Sequence, residues 1–236
     1  MNIACIIPAA GKGIRLGKDI PKQYLKIHDV MVIEYAIRSL IDGIFASGTH
    51  TISLIIACEE QWIAELLPIC VKYLPESAIA FVEGGKERKD SIVNALQTTF
   101  ARQSDKLLIH DAARPFIPTH VMQALLQECS SYSCIIPTLP ISDTLKKVQD
   151  NVIEHTCDRS QYRLAQTPQL LDTKDYYQAL KLSDTSHFTD DASIMEHAGF
   201  SVFCIPGHDI MRKVTYPYDL LLAEVHAYMY EQLHGA

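Results

Sequence analysis

Short apolar runs alternate along the chain with stretches in which apolar residues recur every three or four positions. Ile3 to Ile7 is a continuous apolar run closed by Pro8, as expected of a strand buried on both faces. Ile33, Ile37, Leu40, Ile41 and Ile44 then follow helical spacing. The alternation repeats: Ile52 to Ala57 (strand), Ile63, Leu66, Leu67 and Cys70 (helix), Ala78 to Val82 (strand), Ile92, Ala95, Leu96 and Thr99 (helix). Lys106 to Ile109, the stripe Met122, Leu125, Leu126 and Cys129, and Cys134 to Ile136 complete a β-α-β-α-β-α-β-α-β order. Right-handed crossovers make this an α/β fold, a mostly parallel twisted sheet with helices on both faces. Ligands of such sheets bind outside the carboxyl ends of the strands, so the loops after each strand are the places to look for chemistry.

The alternation breaks after Pro140. Asp143 to Val148 and Val152 to Thr156 read as two short strands around the turn Gln149-Asp150-Asn151. A lone two-stranded hairpin is marginal in water, so this projecting β-arm, at about 138–160, is expected to pack on another subunit. The remainder reads as helices at roughly 172–182 and 190–198, a strand at Val202 to Ile205, and a final helix. In that helix Leu222, Val225, Met229 and Leu233 share one face. With no repeat, linker or charge block, residues 1–236 are expected to form one domain carrying an arm.

The 21 Lys and Arg against 28 Asp and Glu leave a formal charge of -7. An acidic surface repels nucleic acid backbones, so no nucleic acid partner is expected. No apolar run approaches the ~18 residues of a membrane span, so no membrane partner is expected either. The first apolar run reads as a strand rather than a signal peptide, since no basic segment precedes it. Seven cysteines without a C-x-x-C pair point to reduced core thiols and a cytoplasmic setting.

Three strand-end loops carry candidate chemistry. In the first, Pro8 to Gly17, glycines at 11, 13 and 17 let backbone N–H groups approach an anion. Their spacing is neither the dinucleotide fingerprint nor a Walker loop. Positions 9–29 hold Lys12, Arg15, Lys18, Lys22 and Lys26 against Asp19 and Asp29, a local basic excess on an acidic chain. The second loop, Glu83 to Ser91, turns through Gly84 and Gly85 into a helix, where Asp90 or Ser91 serves either as a cap or as a ligand contact. The third is His110 to Phe116. Asp111 at a strand's carboxyl end suits a metal ion, a ribose hydroxyl or an ion pair with Arg114, while His110, without a metal-ligating partner, reads as a packing residue. Asp143 and Thr144 with Arg159, Thr167 with Thr189 to Asp191, and Arg212 to Thr215 are weaker clusters.

Together these motifs resemble the 2-C-methyl-D-erythritol 4-phosphate cytidylyltransferase family. The resemblance is carried by PAAGKGIRLG at 8–17, PKQYL at 21–25, GGKERKDSI at 84–92, HDAARPF at 110–116, DTLK at 143–146, DR at 158–159, QTPQ at 166–169, TDDAS at 189–193 and KVT at 213–215. It implies a Rossmann-like nucleotidyltransferase fold, a homodimer joined by the β-arm, and Mg²⁺-dependent transfer of CMP from CTP to 2-C-methyl-D-erythritol 4-phosphate, with release of pyrophosphate. By the same resemblance Arg15, Lys22 and Lys213 are catalytic. Ala9, Ala10, Gly11, Gly13, Gly85, Ser91, Asp111 and Ala112 bind the nucleotide, and Asp111 is the one candidate metal ligand beside the CTP phosphates. Arg114, Thr144, Arg159, Thr167 and Thr189 bind the acceptor, with Thr144 and Arg159 reaching a neighbouring subunit. Lys86 stands where some relatives have an acidic residue, and Met211 where Asn is usual. The rival readings are a cytidylyltransferase for another polyol phosphate such as ribitol 5-phosphate, and a non-catalytic nucleotide-binding module. A nicotinamide dehydrogenase is disfavoured by the glycine spacing.

Overall fold

The computed structural model describes residues 1–11, 20–182 and 188–234. The expectations placed on Gly13 and Arg15, and on Lys12 and Lys18 beside them, lie outside the described residues.

In chain order the elements are β1 (Asn2–Pro8), a small hairpin of β2 (Lys26–Ile27) and β3 (Val30–Met31), α1 (Val32–Phe45), β4 (Thr51–Cys58), α2 (Ile63–Cys70), β5 (Ile79–Glu83), α3 (Arg88–Leu96), α4 (Thr99–Gln103) and β6 (Lys106–Ile109). Then follow α5 (Thr119–Gln127), β7 (Cys134–Pro140), the arm strands β8 (Lys146–Gln149) and β9 (Val152–Thr156), β10 (Arg163–Ala165), β11 (Gln169–Asp172), α6 (Thr173–Leu182), α7 (Asp191–His197), β12 (Val202–Pro206) and α8 (Pro217–His234).

Eight strands form the main sheet in the order β10-β7-β11-β6-β1-β4-β5, with β12 also paired to β7. β1, β4, β5 and β6 are parallel to one another, and β12 is parallel to β7. β1 shows why both faces are covered. Ile3, Cys5 and Ile7 enter a core with α1, α2, α5 and α8, whereas Ala4 and Ile6 enter a second core with α3, α4, α6 and α7. Period-two alternation splits a continuous apolar run between two cores, so the run itself carries no polar face.

Two expectations need correction. β11 lies antiparallel between β6 and β7, in a stretch where the sequence analysis expects no strand. Its four residues, with Leu170 and Leu171 both fully buried, are too short for a period to show. In α8 the buried stripe is Ala223, Ala227 and Tyr230, while Val225 and Met229 are exposed. The close packing of this helix is made by alanines, which a search for large apolar residues passes over.

β8 and β9 pair as an antiparallel hairpin. Asp150 and Asn151 turn through positive φ of 48° and 65°, the backbone of a tight two-residue hairpin. Every residue of β8 and β9 is exposed, including Val148, Val152 and Ile153. Five of the seven free cysteines are buried; Cys157 is half-buried and Cys204 exposed. Among the described residues no helix is long and apolar enough to cross a membrane.

The register of α8 gives a direct check by urea denaturation. Val225→Ser should change stability by no more than about 0.5 kcal/mol. Ala227→Leu should destabilise by about 1–3 kcal/mol, because no space exists beside a fully buried alanine.

Candidate active site

The loops at the carboxyl ends of β1, β4, β5 and β6 meet in one place. Ala9 donates its N–H to Ala57 (2.7 Å), Gly84 to Cys58 (3.0 Å) and His110 to Ile6 (2.9 Å), so each loop leaves its strand tied to a neighbour. A Cβ on Gly84 would lie 2.0 Å from the Cβ of Ala10, which shows how closely the first two loops touch. Gly85 is equally confined, because a Cβ there would lie 2.1 Å from that of Asp90.

The opening loop is held from its carbonyl side. The Gln23 amide donates to the carbonyls of Ala9 and Gly11, and the Tyr24 hydroxyl donates to Ala9 at 3.0 Å. Tyr24 is itself stacked on Trp62, with centroids 3.7 Å apart. Carbonyls engaged in this way leave the N–H side of the loop for an anion. Lys22 begins the 3₁₀ turn that carries Gln23 and Tyr24, so the cation and the clamp belong to one rigid unit.

In the second loop the helix cap is made by Glu87 and Asp90 as a reciprocal box, with Glu87 N–H donating to Asp90 at 3.0 Å. Ser91 accepts from the Gly85 N–H (2.9 Å) and donates to the Glu87 carbonyl (3.3 Å). Its hydroxyl therefore shapes the glycine turn.

The third loop holds the electrostatic centre. Arg88 Nε is 2.9 Å from Asp111 Oδ1, Lys213 Nζ is 2.8 Å from Oδ2, and Arg114 Nε is 3.6 Å from Oδ2. Burial alone would raise the Asp111 pKa; the charges of Arg88, Lys213 and Arg114 reverse this and hold it well below the usual carboxylate range. Arg88 also pairs with Asp191 at 2.8 Å, and the Tyr176 hydroxyl donates to Asp191 at 2.7 Å. Gln169 completes the frame: its carbonyl accepts from the N–H groups of Asp191 (3.0 Å) and Ala192 (2.9 Å), and its amide donates to Asp190 at 2.8 Å.

His110 is fully buried, and burial pushes its imidazole down to about 4, so the ring is neutral near pH 7. Nε2 faces the Arg114 carbonyl at 2.9 Å and must carry the hydrogen. Nδ1 then accepts from the Thr167 hydroxyl at 3.1 Å, while that oxygen accepts from the Asp111 N–H at 3.1 Å. Thr167 is left with a lone pair, and no hydrogen, to offer a ligand.

A cavity of about 210 Å³ lies against this cluster, and Asp111, Arg114, Thr167, Thr189 and Lys213 all line it together with Arg88. Five residues spread from 111 to 213 thus converge on one space. Thr144 and Arg159 do not join them; both are exposed at the base of the arm. Ala112 is buried beside Asp111. The sequence analysis named Asp191 only within a weak cluster and passed over Arg88, Gln23 and Gln169 as site residues. Each stood inside a quoted motif, but only contact shows what it holds.

The family model described as IspD, 2-C-methyl-D-erythritol 4-phosphate cytidylyltransferase, matches residues 3–230. The chain belongs to this family. The enzyme of that name from Bacillus thuringiensis is 37% identical over 93% of this chain and 95% of its own length. Among solved structures, the cytidylyltransferase of Francisella tularensis superposes with a TM-score of 0.78 at 28% identity, covering 96% of this chain and all of that one. That of Thermus thermophilus gives 0.75 at 26%, covering 97% and 100%. The shared family fold is the Rossmann-like nucleotidyltransferase architecture expected from the motifs.

No group of three His, Cys, Asp or Glu side chains able to hold a metal ion occurs among the described residues. Asp111, the one candidate ligand, already has a cation on each carboxylate oxygen. The residues here do not fit a resident metal held by the protein.

The neutral His110 predicts a pH dependence of stability. In the unfolded chain the ring takes a proton near pH 6.5; in the folded chain it does so only near 4. Unfolding is therefore favoured as pH falls through this window, by roughly 3 kcal/mol in all. Asp111 acts below it, since its depressed pKa loses stabilising charge only under 3.8. Urea unfolding at pH 7 and at pH 4.5 should show the loss, and His110→Gln should flatten it; an unchanged slope in the variant would assign the loss elsewhere.

Proposed function

We infer that this enzyme transfers CMP from CTP to 2-C-methyl-D-erythritol 4-phosphate, releasing pyrophosphate, with the cavity beside Asp111 receiving the acceptor. The observation that carries the reading is the set Lys213, Arg114, Thr167 and Thr189 around one space, next to the clamped opening loop.

An oxygen of the acceptor's phosphate attacks the α-phosphorus of CTP, and the bond from that phosphorus to the bridging oxygen of pyrophosphate breaks. Two anions must meet. A pair of unit charges 4 Å apart repel by about 4 kcal/mol at an effective dielectric constant of 20. Fixed cations offset that repulsion without reorganising, and this electrostatic preorganisation is where the catalysis resides. Lys213 and Arg114 draw the acceptor phosphate, Arg15 and Lys22 meet the triphosphate, and Ala10, Gly11 and Gly13 supply backbone N–H groups, while Ala9, whose N–H is taken by the Ala57 carbonyl, ties the loop to β4. Gly85 and Ser91 form the turn that reads the base, and Asp111 with Ala112 borders the ribose. The attacking phosphate is already ionised near neutral pH, so no general base is required. Thr167 accepts a hydrogen from an acceptor hydroxyl, and Thr189 lines the same cavity.

Mg²⁺, which the family resemblance implies, would be held mainly by the CTP phosphates rather than by residues of the protein, and would supply relief of negative charge there. Asp111 serves as the anchor of three cations rather than as its ligand. The functional unit is a homodimer, supported by an arm whose Val148, Val152 and Ile153 face solvent in the single chain. Thr144 and Arg159 then act on the acceptor bound by the neighbouring subunit. The reduced, mostly buried thiols suit a cytoplasmic enzyme.

Pyrophosphate release from CTP, measured with a panel of polyol phosphates, should be fastest with 2-C-methyl-D-erythritol 4-phosphate; a faster rate with ribitol 5-phosphate would overturn the assignment. Lys22→Ala should lower kcat by roughly 10²–10³ and raise KM much less. A mixture of Arg159→Ala and Lys22→Ala subunits, each inactive alone, should regain activity after exchange, because one site of each mixed dimer is intact. No recovery after verified exchange would refute action across the dimer.

A further inference from the structure

Lys213 is the cavity cation carried by the segment that links the last sheet strand to the final helix. The segment runs from the end of β12 at Pro206 to the start of α8. Its course is set by a few contacts. Gly207 donates to Thr138 (2.8 Å), Met211 accepts from Arg114 Nη1 (2.8 Å), and Val214 donates to Ala113 (2.8 Å). Another hold is a side chain. Gln166, only 3% exposed, donates from Nε2 to the His208 carbonyl at 3.0 Å and accepts the His208 N–H at Oε1 at 3.1 Å. One amide thus pairs with both polar groups of one residue, as a neighbouring strand would.

His208 passes this constraint forward. Its Nδ1 accepts from the Ile210 N–H at 3.2 Å and its carbonyl accepts from Met211 at 3.0 Å, which starts the 3₁₀ turn that ends two residues before Lys213. Gly207 makes the approach possible, because a Cβ there would stand 2.1 Å from Gln166 Oε1. Gln166 lies in the wall between the acceptor cavity and a second space of about 320 Å³, and Arg114 and Lys213 line both. A small shift of the segment would move Lys213 along that wall and off Asp111.

We propose that Gln166 is a positioning residue: its amide, bonded to both backbone groups of His208, sets where Lys213 stands in the acceptor cavity. This rests on the reading of Lys213 as a catalytic cation. The amide acts through the backbone, with its carbonyl and one N–H already occupied, so its loss is felt at Lys213.

The test is a double-mutant cycle on the full-length enzyme. Gln166→Glu keeps the shape but sets a carboxylate oxygen against the His208 carbonyl. It should lower kcat by about tenfold or more and leave KM for CTP within about twofold. In a Lys213→Ala background the same change should cost less than about twofold, because its target is gone. If Gln166→Glu fails to fold, as read by circular dichroism, Gly207→Ala presses on the same amide from the other side and should show the same non-additivity. A loss repeated in full in the Lys213→Ala background, or a wild-type kcat in the folded Gln166 variant, would overturn the positioning role while leaving Lys213 catalytic. A wild-type kcat for Lys213→Ala alone would overturn the reading of Lys213, and this proposal with it.

Discussion

One buried carboxylate organises the site. Asp111 stands at the carboxyl end of β6 with Arg88, Lys213 and Arg114 within 3.6 Å. Three like charges would repel one another and draw in water if left alone in a half-closed cavity. Placed around a common anion, they are held near each other at low cost, with Arg114 and Lys213 lining the cavity. Removing one member of so buried a group leaves another charge uncompensated, which costs far more than a surface ion pair contributes. The cavity is therefore as much a folding constraint as a binding site.

The same carboxylate ties distant parts of the chain together. Arg88 comes from α3, Lys213 from the segment before α8, and Asp191, the second partner of Arg88, from the first turn of α7. Gln23, Gln166 and Gln169 repeat the device with neutral amides, each nearly fully buried and each bonded to the backbone or cap of a loop that borders the site. A buried amide with both ends satisfied imposes direction without the desolvation cost of a charge. The loops around the cavity are thereby placed before any ligand arrives, which is what electrostatic catalysis of an anion–anion reaction requires.

The arm stands apart from this arrangement. It buries none of its own strands, and Thr144 and Arg159 lie outside the set of residues that the fold brings together at the cavity. The arm's apolar residues Val148, Val152 and Ile153 are exposed in the single chain.

The amino-acid sequence by itself determined the order of most elements, the two-faced burial of the central strands, the hairpin and the loops where chemistry resides. These follow from local periodicity, from glycines at strand ends and from motif spacing, all of which are written within about ten or fifteen residues. Tertiary structure alone decided that β11 slips antiparallel between β6 and β7, that α8 packs through Ala223 and Ala227 while Val225 faces out, and that Arg88 and Gln169 belong to the site. Each of these depends on contacts between residues far apart along the chain. A charge or an amide carries no local sign of the partner that will neutralise or accept it, so its role appears only once the chain has closed around it.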